Sequence, residues 1–253
     1  MSFRISSLVT RHSSLVILFL LSLPLLAQNT DGFETRTHAG LTLNRGNSET
    51  TQLTLGADTK RIQDSNEITA NAAYTYGQTT TRRDDGSEET STNVDKADAQ
   101  AQVNHLYTAR TYGLFNLSAL SDEIARIDYR ILAGPGLGHY LVRNDIWTLS
   151  SELGAAMLTE NVENSSESYM VLRAAQNFER KLNDHARVWQ TLEFLPRAED
   201  VDSYLLNAEL GVEARLNGSL SLRVVMQNKY DSTPASDRKN NELTIISGIS
   251  YAW

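Results

Sequence analysis

The chain is 253 residues long, with 40% hydrophobic residues, 21% charged residues and a formal net charge of -8. No basic cluster stands ready to meet phosphates, so a nucleic-acid partner is not expected, and the complete lack of cysteine removes disulfides, thiol chemistry and Cys-ligated metals. A mean hydropathy of -0.36 resembles that of an ordinary soluble protein, but the measure is blind to membrane strands, of which only alternate residues need be apolar.

The first segment, MSFRISSLVTRHSSLVILFLLSLPLLAQ, places Arg4 and Arg11 ahead of an apolar run from Leu15 to Ala27. That is the layout of a secretory leader, and residues 1–27 are expected to be a cleaved signal peptide. The run is shorter than the roughly 20 residues of a membrane-spanning helix. Loss of Arg4 and Arg11 with the leader takes the net charge from -8 to about -10.

From residue 38 onward apolar residues recur at every second position, the period of a strand. Ala39, Leu41 and Leu43 alternate with His38, Thr42 and Asn44; Leu53, Leu55 and Ala57 follow, then Ile68, Ala70, Ala72, Tyr74 and Tyr76. Further strands are expected at about 94–106, 111–121, 130–142, 147–159, 169–181, 187–195, 203–215, 219–230 and 242–253, twelve in all. Short connections, IQDSN at 62, YTAR at 107, RNDI at 143, LNDH at 182 and LNGS at 216, alternate with longer polar ones at 79–93, 122–129, 161–168, 196–202 and 231–240. An even number of strands of about ten residues, with short turns at one end and long loops at the other, is the pattern of a transmembrane β-barrel.

Aromatic residues divide in the same way. Tyr76, Tyr169, Phe194, Tyr204 and Tyr230 lie beside long loops; Tyr107, Tyr112, Tyr140, Trp147, Phe178, Tyr251 and Trp253 lie near short turns or the terminus. Two interfacial girdles are expected from this division, with Trp189 on the polar parity and Phe115 near mid-strand as exceptions. The competing fold is a soluble β-sandwich or a lipocalin-like barrel, which would turn the apolar parity inward. Here the other parity is crowded with charge, which favours an all-β, antiparallel up-and-down barrel over 28–253 with lipid outside and water inside.

On that reading the lumen receives Asp58, Asp98, Glu152, Glu193, Glu209 and Glu213 together with Lys60, Lys96, Arg173, Arg187, Arg215 and Arg223. Six acids against six bases give no ladder of one sign, as a charge-selective pore would carry. The expectation is a narrow, charge-paired lumen in a structural or envelope-stress barrel, with a porin-like channel for small solutes as the alternative.

The stretches GLTLNRGNSETTQLTLGAD (40–58), GPGLGHY (134–140), YDSTP (230–234) and the closing GISYAW resemble the DUF481 family, often labelled salt-induced outer membrane protein. The resemblance spans residues 36–253 and implies a Gram-negative outer-membrane barrel with no established activity. His139 departs from it, standing where an aromatic residue is common. It also implies that Ile249, Tyr251 and Trp253, on the lipid-facing parity, form a C-terminal signal read by the barrel-assembly machinery. Outer-membrane lipid and lipopolysaccharide are the other expected partners.

No chemistry stands out beyond this. Gly134, Gly136 and Gly138 with Pro135 lack the spacing and following helix of a dinucleotide site and read instead as backbone clearance in a strand. The five histidines are scattered without metal-ligand spacing. The run Arg82, Arg83, Asp84, Asp85, Glu88, Glu89 reads as a solvated loop, and no Ser/His/Asp arrangement can be placed. Neither an enzyme nor a cofactor is expected, an outer-membrane lipid hydrolase or protease being the remote alternative.

Overall fold

The computed structural model describes residues 32–44, 48–82 and 87–253; the signal peptide expected over residues 1–27 lies outside these. Twelve strands follow one another: β1 (Phe33–Asn44), β2 (Ser48–Gln63), β3 (Asn66–Arg82), β4 (Glu88–Leu106), β5 (Thr111–Asp122), β6 (Ile127–Arg143), β7 (Trp147–Val162), β8 (Ser165–Asn183), β9 (Ala186–Pro196), β10 (Tyr204–Arg215), β11 (Leu220–Asp231) and β12 (Asn241–Ala252). Each pairs antiparallel with its neighbours in sequence, and β12 returns to β1 to close a barrel.

The apolar parity faces out. Leu53, Leu55, Phe115, Leu117, Leu137, Leu153, Leu210 and Ile245 are all exposed on the outer wall, Leu153 at 69%. A continuous apolar band of this kind is far beyond what a soluble surface carries, and it excludes the soluble sandwich, whose apolar side chains would fill the inside. The polar parity lines the interior, where Asn116, Glu152 and Ser250 are buried.

The short turns are made by local hydrogen bonding. Asn144 Oδ1 accepts from the amides of Ile146 and Trp147, and Asn217 Oδ1 from those of Ser219 and Leu220, the side chain supplying what a tight turn leaves unpaired. At the opposite end the structure corrects the expected loops. The segment 161–168 is only a two-residue turn, Glu163 and Asn164, both with positive φ (53° and 66°), the backbone twist that suits a tight hairpin.

Likewise, most of 79–93 is strand: β3 runs to Arg82 and β4 starts at Glu88. Polar composition suggested loops, but threonine is β-branched and pairs well across strands. Thr80 bonds Thr90 at 2.8 Å, Thr50 bonds Thr79 at 3.2 Å and Thr159 bonds Ser168 at 3.0 Å. These hairpins carry the sheet beyond the apolar band.

The aromatic division is also revised. Phe194, Tyr204 and Tyr230 pack ring to ring along three adjacent strands at the loop end, and Trp147 with Phe178 and Tyr251 with Trp253 form pairs at the turn end. Tyr112, Tyr140 and Tyr169, by contrast, point inward, each donating its hydroxyl to a carboxylate (Glu152, Glu67 and Glu160). Their parity explains it: Tyr112 alternates with the outward Phe115 and Leu117 and shares its face with Asn116.

Candidate functional site

The interior is the only region of the described residues where charge, burial and space coincide. A cavity of about 1210 Å³ reaches from Glu34, Lys60 and His185 at the turn end to Asp231, Arg238 and Asn240 at the loop end. Asp58, Lys60, Asp98, Glu152, Arg173, Arg187, Glu193, Glu209, Glu213, Arg215 and Arg223 line it, and Lys96 lines a smaller adjoining space.

The buried hub is Glu152 on β7, 2% exposed. It accepts from Arg173 Nη1 at 2.8 Å, from Tyr112 Oη at 2.8 Å and from Gln102 Nε2 at 3.0 Å. Arg173 turns its Nε to Glu193 at 2.7 Å, and Asn207 donates to the second oxygen of Glu193 at 3.1 Å. Both oxygens of Glu152 and of Glu193, and the Nε and Nη1 of Arg173, thus have a partner, as ions in a low-dielectric wall require.

Nearer the turn end, Arg187 lies between Glu179 (3.2 Å) and Glu213 (3.3 Å), and Ser250 of β12 donates to Glu213 at 3.1 Å. Arg223 reaches Asp58 at 2.7 Å, with His38 at 3.5 Å from the same carboxylate. Both guanidiniums stack over the indole of Trp189, which donates Nε1–H to Glu209 at 2.6 Å. Trp189 is therefore a lumen residue held by two cations and one acid, which accounts for its place on the polar parity.

Its ring lies flat over Gly211 on the paired strand β10, where an added Cβ would fall 2.0 Å from the indole. Gly138 does the same for Tyr112, with a Cβ 2.2 Å from the phenol ring. Gly138 of GPGLGHY is thus clearance for a lumen aromatic, whereas Gly134 and Gly136 lie against the backbone of β7. His139 beside it faces outward and pairs with Thr111 at 3.0 Å.

At the loop end Lys96 bonds Glu242 at 3.0 Å and sits 3.8 Å from Asp122, while Arg130 joins Glu160 to Asp231. Sequence reasoning missed Arg130, Glu160, Asp122, Asp231 and Glu242, which share the inward parity but sit at or near strand ends; Asp122 and Asp231 fell in segments expected to be loops, and Arg130 and Glu242 opened expected strands. It also missed an apolar cluster inside the barrel, Leu132, Ala156, Leu158, Val171 and Leu195, with Tyr169 and Leu205 against it. These residues fill the β6–β10 side of the lumen. No sequence signal marks them beyond inward parity.

Beyond the apolar band, the Arg126 guanidinium hydrogen-bonds Glu163 and holds its carboxyl below the usual range, and Ser236 of the β11–β12 loop donates to the same carboxylate at 2.9 Å. At the other end, the main-chain N–H of Trp253 donates to Thr35 O at 3.0 Å, and Ile249, Tyr251 and Trp253 are all exposed on the outer wall. Among the described residues no set of histidines and carboxylates is arranged to hold a metal ion.

The model of a protein family of unknown function, DUF481, matches residues 37–253. No curated protein matches the sequence. Among solved structures, the translocator domain of the autotransporter NalP from Neisseria meningitidis is similar at 15% identity over 98% of this chain and 100% of that one, with a TM-score of 0.46. The NanC porin is similar at 9% identity over 87% and 98%, TM-score 0.48, and the KdgM porin at 8% over 87% and 99%, TM-score 0.45.

Proposed function

Since the chain belongs to the DUF481 family of proteins of unknown function, we propose from its geometry that it is an outer-membrane barrel conducting small polar solutes through a narrow aqueous lumen. One observation carries this reading: the 1210 Å³ cavity is lined by residues of both ends of the barrel, Lys60 and His185 at one and Asp231 and Asn240 at the other. The ion pairs run mainly along the wall between neighbouring strands, as Arg173 does to Glu152 and Glu193. Those pairs hold their charges against the wall, whereas Arg223 to Asp58, Lys96 to Glu242 and Arg130 to Asp231 reach strands three or more steps around the ring. With both signs present in near balance, the channel discriminates by size more than by charge.

The apolar outer band supports the membrane location, and closure of the strands into a barrel pairs most of the backbone groups that lipid would leave unsatisfied. A second reading, a structural barrel with a closed lumen, is favoured by the Arg130 to Asp231 bond, which spans the mouth. Planar-bilayer recording of the refolded protein separates the two. Steady open-channel current is expected, and silence at all voltages would overturn the channel.

A further inference from the structure

The closing seam is the weakest line in the wall. Between β1 and β12 five residue pairs are formed, Arg36 with Ala252 through Gly40 with Gly248, whereas β11 and β12 pair from Leu220 with Tyr251 to Tyr230 with Asn241. Above Gly40 and Gly248 the strands part: among the described residues, Asn241–Ser247 pairs only with β11 and Leu41–Asn44 only with β2.

This parting lies within the apolar band, for Leu41, Leu243 and Ile245 beside it are all more than half exposed on the outer wall. Unpaired strand edges at that depth are strongly unfavourable unless water or a polar partner reaches them. Water can reach them from the inside. A cavity of about 50 Å³ adjoins the seam, lined by Gly40, Gly248, Ile246 and Thr244 of the parting strands. Thr54, Thr75, Gln227 and the Lys96 to Glu242 pair form its inner wall.

The two sides of this slit therefore differ in chemistry: polar backbone and side chains within, acyl chains without. We infer that the slit is a lateral port through which a single-chain amphiphile places its polar head in the lumen while its chain stays in the bilayer. The small cavity admits a single head group of modest size. That head is zwitterionic, because Lys96 is already met by Glu242 and Asp122 and a net charge would stand uncompensated among paired ions. A zwitterion brings its own balance. The inference rests on the membrane-barrel reading and adds a second route into the same lumen.

The test reads Trp189, which lies in the lumen under Arg223, itself part of the slit cavity. In a Trp147→Phe, Trp253→Phe background in lipid vesicles, the probe is a lysophosphatidylcholine carrying a nitroxide on its choline. Because the chain has no cysteine, Thr42→Cys with Ile246→Cys, the positions that would meet if the register of Gly40 and Gly248 ran on, lock the slit on oxidation. Ile246→Phe is an independent closure that fills it. Quenching of Trp189 by the lipid nitroxide is expected in the open protein, with its loss in the locked and filled forms. No quenching in the open protein, or equal quenching in open and closed forms, would overturn the port. A water-soluble nitroxide choline is the comparator: if it quenches Trp189 where the lipid does not, the port falls and the channel stands, and if neither does, both fall.

Discussion

Arg130 on β6 and Asp231 on β11 are joined at 2.8 Å although five strand-to-strand steps separate them around the ring. The bond crosses the loop-end mouth, and Arg130 is fixed to it by a second bond to Glu160 on the neighbouring strand. Asp231→Asn weakens this strut while leaving the Arg130 to Glu160 pair in place. The expected cost is about 1.5–3 kcal/mol, the scale of one charge-assisted hydrogen bond, measured by denaturant unfolding in detergent. Single-channel conductance should rise in the same variant, and an unchanged conductance would place the constriction elsewhere.

Arg173 is the sole cation within ion-pair reach of Glu152 and Glu193 among the described residues. Arg173→Met leaves two carboxylates together in the wall, and breaking such a pair costs about 3–5 kcal/mol. The melting transition, followed by heat-modifiable gel migration, should fall well below that of the parent protein.

The facing assignment is exposed by two adjacent positions. Leu210 is on the outer wall, and Leu210→Arg should cost about 2–4 kcal/mol at mid-depth in the bilayer. Glu209 faces inward and accepts from Trp189 and Gln227. Glu209→Gln keeps an acceptor oxygen and should cost about 1 kcal/mol. Equal losses in folding into vesicles would mean that the faces are misassigned.

Gly211→Ala puts a methyl group where the Trp189 ring now lies. Overpacking of this kind costs about 1–3 kcal/mol. Because the indole must swing off the wall and give up Glu209, its emission in the single-tryptophan background should shift to longer wavelength. Gly218→Ala, in a turn with open space around it, should leave the emission unchanged.

The Arg126, Glu163 and Ser236 contact ties two turns and the β11–β12 loop together. Since the hydrogen bond from Arg126 lowers the Glu163 carboxyl in the folded protein, the tie is complete above the ordinary glutamate range, about 4.3. It is lost as pH falls through the lowered value. A spin label at Thr233→Cys should report loop loosening only in that acid window, and Glu163→Gln should remove the pH dependence.

Strand number, alternation and closure were legible in the sequence because period two is written into each segment, as in Leu206, Ala208, Leu210 and Val212. What stayed hidden depended on partners far along the chain. Tyr112 was read by its nearness to a turn, when its parity with Asn116 already turned it inward. The polar hairpins at 79–93 and 161–168 were read by composition, which does not distinguish a solvated loop from a threonine-paired ribbon. Arg130 and Asp231 could not be paired at all from sequence, since nothing local says which side of a ring faces which.

The bonds from Trp253 to Thr35 and Thr37 join positions more than 200 residues apart, 216 for Thr37. Every other seam in the barrel is a hairpin whose strands can meet as soon as both exist, whereas this one must gather the whole circumference. Loop-closure entropy grows only slowly with length, but it is charged in advance of any contact that rewards it, and nonlocal pairing of this kind is intrinsically slow. Folding of the barrel is therefore a race between eleven quick local events and one slow meeting of the ends, and the short ladder from Arg36 to Gly40 is where that race is decided.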